Sequence, residues 1–260
     1  MDLNLKGRSA LVTGGSKGIG LAIARVLAAE GCSLHLAARN AEQLAKAAAE
    51  ISAAHGVGVS THAVDLSQSA QVSALAQSCS EVDILVNNAG GIPRGTLQEV
   101  DSERWRRAWD LKVFGFIDMS RIIFPRMCAR GKGVIVYVIG AAGERADPNY
   151  IAGCMGNASL IMFTQCLGAD SMRHGVRVVA VNPGPIMTDR FMDGLLWRAE
   201  KRFKDPKRWP ELLQEIPAGR AGTPEEVAHT VAFLASDLAS YINGAAIRID
   251  SGWLGSFKVA

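Results

Sequence analysis

The sequence predicts a doubly wound α/β domain, a parallel sheet with helices on both faces. Three observations carry this. Short apolar or β-branched runs alternate with longer helical patterns along most of the chain. The runs are almost continuously hydrophobic, as strands buried on both faces are, instead of alternating apolar with polar. A glycine-rich turn follows the first run directly and leads into a helical pattern.

The elements follow in order. Ser9-Ala10-Leu11-Val12-Thr13 reads as the first strand, with a helix near 18–30 behind it. Ser33-Leu34-His35-Leu36-Ala37-Ala38 is the second strand, and the Ala-rich stretch 41–55 a helix. Val57 to Val64 supplies a third strand, 68–79 a helix, Val82 to Val86 a fourth strand, and 102–129 a long helix. Val134 to Ile139, a helix over 150–172 and Val176 to Val181 continue the alternation, and Ala245 to Ile249 closes the sheet. Residues 186–216 interrupt it: Phe191, Trp197, Phe203 and Trp209 stand among many charges, and the segment reads as an inserted lid within one domain spanning 1–260.

Composition agrees with a globular chain. Of 260 residues, 48% are hydrophobic and 20% charged, which excludes disordered, collagen-like and disulfide-stapled classes. A single domain of this length buries about 70% or more of its unfolded surface. The net charge of +3 is too small and diffuse for a nucleic-acid footprint. No apolar stretch approaches the roughly 20 residues of a membrane span, and the first residues lack a signal peptide's apolar core, so no membrane association and a cytoplasmic address are expected. Cysteines 32, 79, 128, 154 and 166 show no CxxC or metal spacing and read as reduced packing residues, with no metal site. The five histidines lack the paired acid or nucleophile of a hydrolase.

The turn after the first strand is Thr13-Gly14-Gly15-Ser16-Lys17-Gly18-Ile19-Gly20. Glycines there permit a tight turn and close approach of backbone to a pyrophosphate, and the following helix offers its N–H groups to the phosphates. Gly14, Ser16, Lys17, Gly18, Ile19 and Gly20 are therefore cofactor-binding candidates. Four segments follow in order: Asp65-Leu66, Asn87-Asn88-Ala89-Gly90, Asn182-Pro183-Gly184-Pro185-Ile186-Met187-Thr188, and Arg220-Ala221-Gly222-Thr223-Pro224-Glu225-Glu226-Val227.

With these segments in register, the chain resembles the short-chain dehydrogenase/reductase family from Gly7 to Gly252. The resemblance implies one Rossmann-type domain with a seven-stranded sheet in order 3-2-1-4-5-6-7, assembled as a homotetramer or dimer. It implies that Asp65 and Leu66 flank an adenine, that Asn88, Ala89 and Gly90 line the cofactor channel, and that Pro183, Gly184, Ile186 and Thr188 hold the nicotinamide end. Cofactor preference is argued from charge. The second strand ends Ala37-Ala38-Arg39, without the acid that an NAD enzyme uses on the ribose 2′-hydroxyl. Arg39 can fork onto a 2′-phosphate and Lys17 adds a second cation, so NADP(H) is expected.

Family members acting on carbonyls and alcohols use Asn, Ser, Tyr and Lys. Register from Asn182-Pro183-Gly184 places the Tyr and Lys at 153 and 157, the end of the fifth strand places the Ser at 140, and the helix segment Trp105 to Lys112 places the Asn at 112; this chain has Gly153, Asn157, Gly140 and Lys112 there. Lys112 and Asn157 read as an exchange of the amide and the ammonium between two helices. Tyr150 lies seven residues before Asn157, close to the same helical face. A Tyr separated from the Lys position by six residues resembles the enoyl-acyl carrier protein reductases, as does the neighbourhood Gly143 to Tyr150. Tyr150, Lys112 and Asn157 are the catalytic candidates, and Gly140 and Gly153 are expected to widen the pocket.

The leading expectation is an NADPH-dependent reductase of an activated C=C bond, an enoyl thioester or enone, with the Tyr150 hydroxyl on the developing enolate oxygen. A carbonyl reductase or alcohol dehydrogenase using Tyr150 and Lys112, and a non-redox protein that retains an NADP site, are the alternatives. The partner is a small-molecule substrate; cations of the 186–216 segment with Arg94, Arg104, Arg106 and Arg107 allow a coenzyme A or carrier-protein thioester.

Overall fold

Seven strands build one parallel sheet in the order β3-β2-β1-β4-β5-β6-β7: β1 Ser9–Thr13, β2 Ser33–Ala38, β3 Val59–Ala63, β4 Ile84–Asn87, β5 Gly133–Val138, β6 Val176–Pro183 and β7 Ala246–Ile249. The computed structural model describes residues 2–256; the ends of the expected 1–260 domain, Met1 and 257–260, lie outside the described residues. The helices are α1 Gly18–Ala29, α2 Ala41–His55, α3 Ser69–Ser78, α4 Ser102–Trp109, α5 Gly115–Arg130, α6 Ile151–Ser171, α7 Asp189–Phe203 and α8 Pro224–Ala235. Strand order reverses between β1 and β4, the switch point at which such sheets open a crevice beyond their C-terminal ends.

The uniformly apolar strands are explained by two cores, one on each face. Ile23 and Leu27 of α1, Leu44 of α2 and Val231 of α8 meet Val12, Leu34 and Val136 on one side. Val72 of α3, Phe116 and Ile123 of α5 and Leu160 of α6 meet Leu11, Leu85 and Tyr137 on the other. Burying the Phe116 or Ile123 side chain contributes about 1.5–3 kcal/mol each. Caps fix several helix starts: Asn40 accepts from Gln43 N at 2.9 Å, Asp101 from Arg104 N at 2.8 Å, and Thr223 and Glu226 form a reciprocal capping box.

Four expectations are revised. The long helix over 102–129 is broken by a π-turn, Asp110–Phe114, between α4 and α5. Helix α8 stands where only a motif had been read. Helix α6 with the turn after it, Ile151–His174, is long and apolar enough to cross a membrane, contrary to the sequence reading; its Leu160, Ile161, Phe163 and Leu167 pack on the second core instead. Finally, Cys32 and Cys79 are buried, but Cys166 is exposed and is no packing residue.

Candidate active site

A cleft of about 2320 Å³ opens at the C-terminal ends of β1, β4, β5 and β6. That exceeds the roughly 300–1,000 Å³ of a site for one small ligand and suits a dinucleotide with a substrate beside it. Every catalytic and cofactor-binding candidate named from the sequence lines this cleft except Gly20, which is buried beneath the first turn; of the proposed substrate cations Arg94, Arg104, Arg106 and Arg107, Arg106 does not line it.

The nucleotide end is built by β1 and α1. Lys17 occupies the N-cap of α1 in extended conformation, and no side chain caps the helix. The first-turn N–H groups are therefore left to an anion, as a pyrophosphate site requires. Gly20 holds the turn down: a Cβ there would lie 2.2 Å from the Gly14 carbonyl oxygen and 2.5 Å from Asn88 Nδ2. Gly20→Ala is expected to abolish dinucleotide binding and to lower the melting temperature by about 10 °C or more, read by fluorescence titration and a thermal melt. Asn88 lines the cleft but aims its amide at the Thr13 carbonyl, 2.9 Å away, while Thr13 Oγ1 accepts from the Asn88 and Ala89 N–H groups. Its geometry braces β1 against β4. Asp65 accepts from Ser67 N and Oγ, bonds that hold its carboxyl below the usual range. Arg39 is exposed beside this end, with no carboxylate in salt-bridge range among the described residues.

At the centre, two helices deliver side chains to the end of β5. Lys112 sits in the π-turn, its stem packed over Gly90 and its ammonium nitrogen donating to the Ile139 carbonyl at 2.5 Å. Burial, with the Arg190 charge adding to it, pulls the Lys112 pKa down to about 7. From α6, the buried Asn157 brings Nδ2 to 3.1 Å of where a Gly140 Cβ would stand, and its Oδ1 has no partner. Lys112 thus reaches residue 139 and Asn157 residue 140, neighbouring positions just beyond the end of β5.

Tyr150 differs from the sequence reading. It is the N-cap of α6, with φ −147°, and not a residue of the helix, so it does not share a helical face with Asn157 by register. Its ring folds over Gly153 instead: a Cβ at 153 would lie 2.1 Å from Tyr150 Cζ. Position 140 is closed to side chains for another reason, because Gly140 has φ +138°. The expected widening of the pocket at 140 and 153 is therefore absent; Asn157 and Tyr150 occupy those volumes. Arg94 lies 5.0 Å from the Tyr150 ring centroid and pairs with Asp147 at 3.6 Å.

Two features escaped the sequence reading. Glu144, in the loop leading to Tyr150, accepts from Asn182 Nδ2 and Arg248 Nε, both at 2.7 Å, tying that loop to β6 and β7. These bonds, Arg248 foremost, hold the Glu144 carboxyl below its usual range. Arg190 of α7 reaches back to the Gly90 and Ile92 carbonyls at 3.3 and 2.6 Å, so the 186–216 segment is fastened across the cleft. Neither was legible from spacing, since the partners lie from 38 to 104 residues apart.

An uncapped helix start at the switch point of a doubly wound sheet, with Arg39 and no acid directly at the end of β2, is the arrangement of a dinucleotide-binding domain. Residues 14–254 match the family model described as Enoyl-(Acyl carrier protein) reductase. Galactitol 2-dehydrogenase (L-tagatose-forming) of Cereibacter sphaeroides is 34% identical over 251 residues, 96% of each chain. The 3-oxoacyl-[acyl-carrier-protein] reductase FabG of Escherichia coli K12 is 33% identical over 254 residues, 96% of this chain and 98% of that one. Among solved structures, L-sorbose reductase of Gluconobacter frateurii, complexed with NADPH and L-sorbose, superimposes with a TM-score of 0.92 at 33% identity, covering 99% of this chain and 100% of that one. The chain belongs to the short-chain dehydrogenase/reductase family of NAD(P)-dependent oxidoreductases.

Proposed function

We propose that this chain is an NADPH-dependent reductase of a carbonyl group in an anionic substrate, with Tyr150 as the proton donor. The observation that carries the reading is the Tyr150 ring over Gly153, the position where the resemblance places the family's tyrosine. The carbonyl class is supported by the relatives, whose names describe 3-oxoacyl, polyol and ketose substrates.

Lys17, Arg39 and the open α1 N-terminus are the groups to hold NADPH, which supplies a hydride when bound. Tyr150 donates its hydroxyl proton to the substrate oxygen as negative charge develops there. Arg94 over the ring keeps it from swinging away, a contact worth about 0.5–1 kcal/mol where solvent reaches it. Lys112, charged, stabilises the same developing oxyanion in a site screened from water. Asn157 positions: its unpartnered Oδ1 is an acceptor available to a hydroxyl or ammonium.

Charge indicates the substrate class. Among the described residues lining the cleft, eleven are Lys or Arg and four are Asp or Glu, although the whole chain carries only +3. Arg198 and Arg202 share Glu215, whereas Arg190 and Lys201 have no carboxylate in salt-bridge range among the described residues. Such a cleft focuses anions, and a coenzyme A or carrier-protein thioester fits it. The aromatic and cationic 186–216 segment acts as the lid over that substrate. Exposed Phe114, Met155 and Met162 support a homo-oligomer.

Reduction of an enoyl C=C bond is the second reading, favoured by the spacing of Tyr150 from position 157 and by the description of the matching family model. NADPH consumption measured on 3-oxoacyl thioesters, enoyl thioesters and neutral ketoses separates the readings. Turnover on the first supports carbonyl reduction; turnover confined to the second replaces it with C=C reduction; tight NADPH binding with no turnover on any overturns both in favour of a non-redox protein. For the cofactor, Arg39→Asp is expected to weaken NADPH by about 100-fold and NADH by less than about 5-fold in equilibrium titrations. Equal weakening of both would refute the 2′-phosphate role.

A further inference from the structure

At the open edge of the sheet, outside the lining of the cleft, three metal-ligating side chains converge. His35 of β2 and His62 of β3 point to the face covered by α3, and Cys79 follows the last residue of that helix. His35 Nδ1 lies 3.1 Å from His62 Nε2, and Cys79 Sγ lies 3.6 Å from the same nitrogen. All three ligand atoms fall within 4.8 Å of one another. None of these residues lines the cleft.

Hydrogen bonding alone satisfies this trio poorly. If His62 Nε2 carries the proton, it can donate fully to only one of its two neighbours. If it is bare, its one lone pair can accept fully from only one of His35 and the thiol. A cation at the point of convergence turns all three atoms into acceptors and removes the conflict. Two of the three separations match one: bonds of about 2.0–2.1 Å to nitrogen and 2.3 Å to sulfur in a tetrahedron put two nitrogens about 3.3 Å apart and nitrogen and sulfur about 3.6 Å apart, and the third pair lies within 4.8 Å. Two imidazoles with a thiolate are a borderline-soft set that favours Zn²⁺ over Mg²⁺ or Ca²⁺. Ser78 Oγ, which donates to the Leu75 carbonyl at 2.9 Å, also lies 3.7 Å from Cys79 Sγ, outside the set. Cys79 is buried while both histidines are half-buried, so the sulfur is shielded and a side stays open for an ion to enter and keep a water.

We propose that His35, His62 and Cys79 form a zinc site that clips β2, β3 and the end of α3 together at the sheet edge. The ion's fourth ligand is water, and its role is structural: it joins an outer strand with little buried apolar surface of its own to the helix covering it.

The test uses the full chain, stripped with a chelator and titrated with Zn²⁺ against a chromophoric competitor, and separately with Co²⁺. One ion per chain is expected, with cobalt showing a sulfur-to-metal charge-transfer band and tetrahedral ligand-field bands. His62→Gln and Cys79→Ser are each expected to weaken Zn²⁺ by at least about 100-fold, and Cys166→Ser to leave it unchanged. Zinc should also raise the melting temperature of the wild type and not of Cys79→Ser. A wild-type cobalt complex lacking the charge-transfer band overturns the site without recourse to any variant. So does Zn²⁺ binding that survives His62→Gln and Cys79→Ser in proteins whose thermal melts show them folded.

Discussion

Tyr150→Phe is expected to lower kcat by about 100- to 10,000-fold while leaving NADPH affinity within about 2-fold, since it removes one hydroxyl at the reacting oxygen and nothing at the nucleotide end. Phenylalanine keeps the ring that packs on Gly153 and lies under Arg94, so the fold and the substrate pocket survive. A single-turnover measurement with saturating NADPH reads the chemical step directly. An unchanged rate there would remove Tyr150 from the mechanism. Gly153→Ala approaches the same point by displacement: its methyl would need the space of the Tyr150 ring, 2.1 Å away at the nearest atom, and must drive the ring out. It should match Tyr150→Phe in lost turnover and add a lowered melting temperature.

Lys112→Met is expected to lower kcat/KM by about 10- to 1,000-fold and to stabilise the protein. The opposite signs come from one cause, a buried amine whose charged form the fold penalises. The free lysine takes its proton near 10.5, whereas Lys112 in the folded chain waits until about 7. Between those values the unfolded chain binds a proton that the native chain refuses, so native stability falls as pH is lowered through the window and levels off below it. The stabilisation from Lys112→Met is therefore largest at pH 7 and below and fades toward pH 10, which melts at a series of pH values will show. Because the oxyanion role requires the cation, kcat/KM of the wild type should decline as pH rises through about 7, and that limb should be missing from the variant.

The sheet was legible because hydrophobic strands leave a strong signature and because Gly14–Gly20 and Asn182–Thr188 anchor its two halves. The nucleotide end was legible for the same reason, local motifs making local turns. Helix α8 could have been read too, since Thr223-Pro224-Glu225-Glu226 contains both the N1 proline and the residues of a capping box. The rest is long-range. Glu144 meets Arg248 across the ends of three strands, and His35, His62 and Cys79 converge from two strands and a helix terminus, with no spacing to announce them. Gly140 and Gly153 misled in a different way. Deleted side chains look like empty space in a sequence, but at 153 the Tyr150 ring fills that space and at 140 the positive φ admits only glycine beside Asn157.

The π-turn at Asp110–Phe114 makes Lys112 sensitive to chain length as well as to chemistry. A π-turn is in effect one residue looped into an α-helix, so the two halves of the rod are out of phase by about 100°. Trp109 before it faces Ala152, to whose carbonyl it donates at 3.0 Å, and Phe116 after it faces Tyr137 in the core. Deleting Val113 would let 102–130 run as one unbroken helix; the cores could hold only one half in place, and the other would rotate with its side chains. Lys112 lies at the seam. The positions on either side of it are insulated from one another, so that the half packed in the core can evolve without turning the amine away from the end of β5.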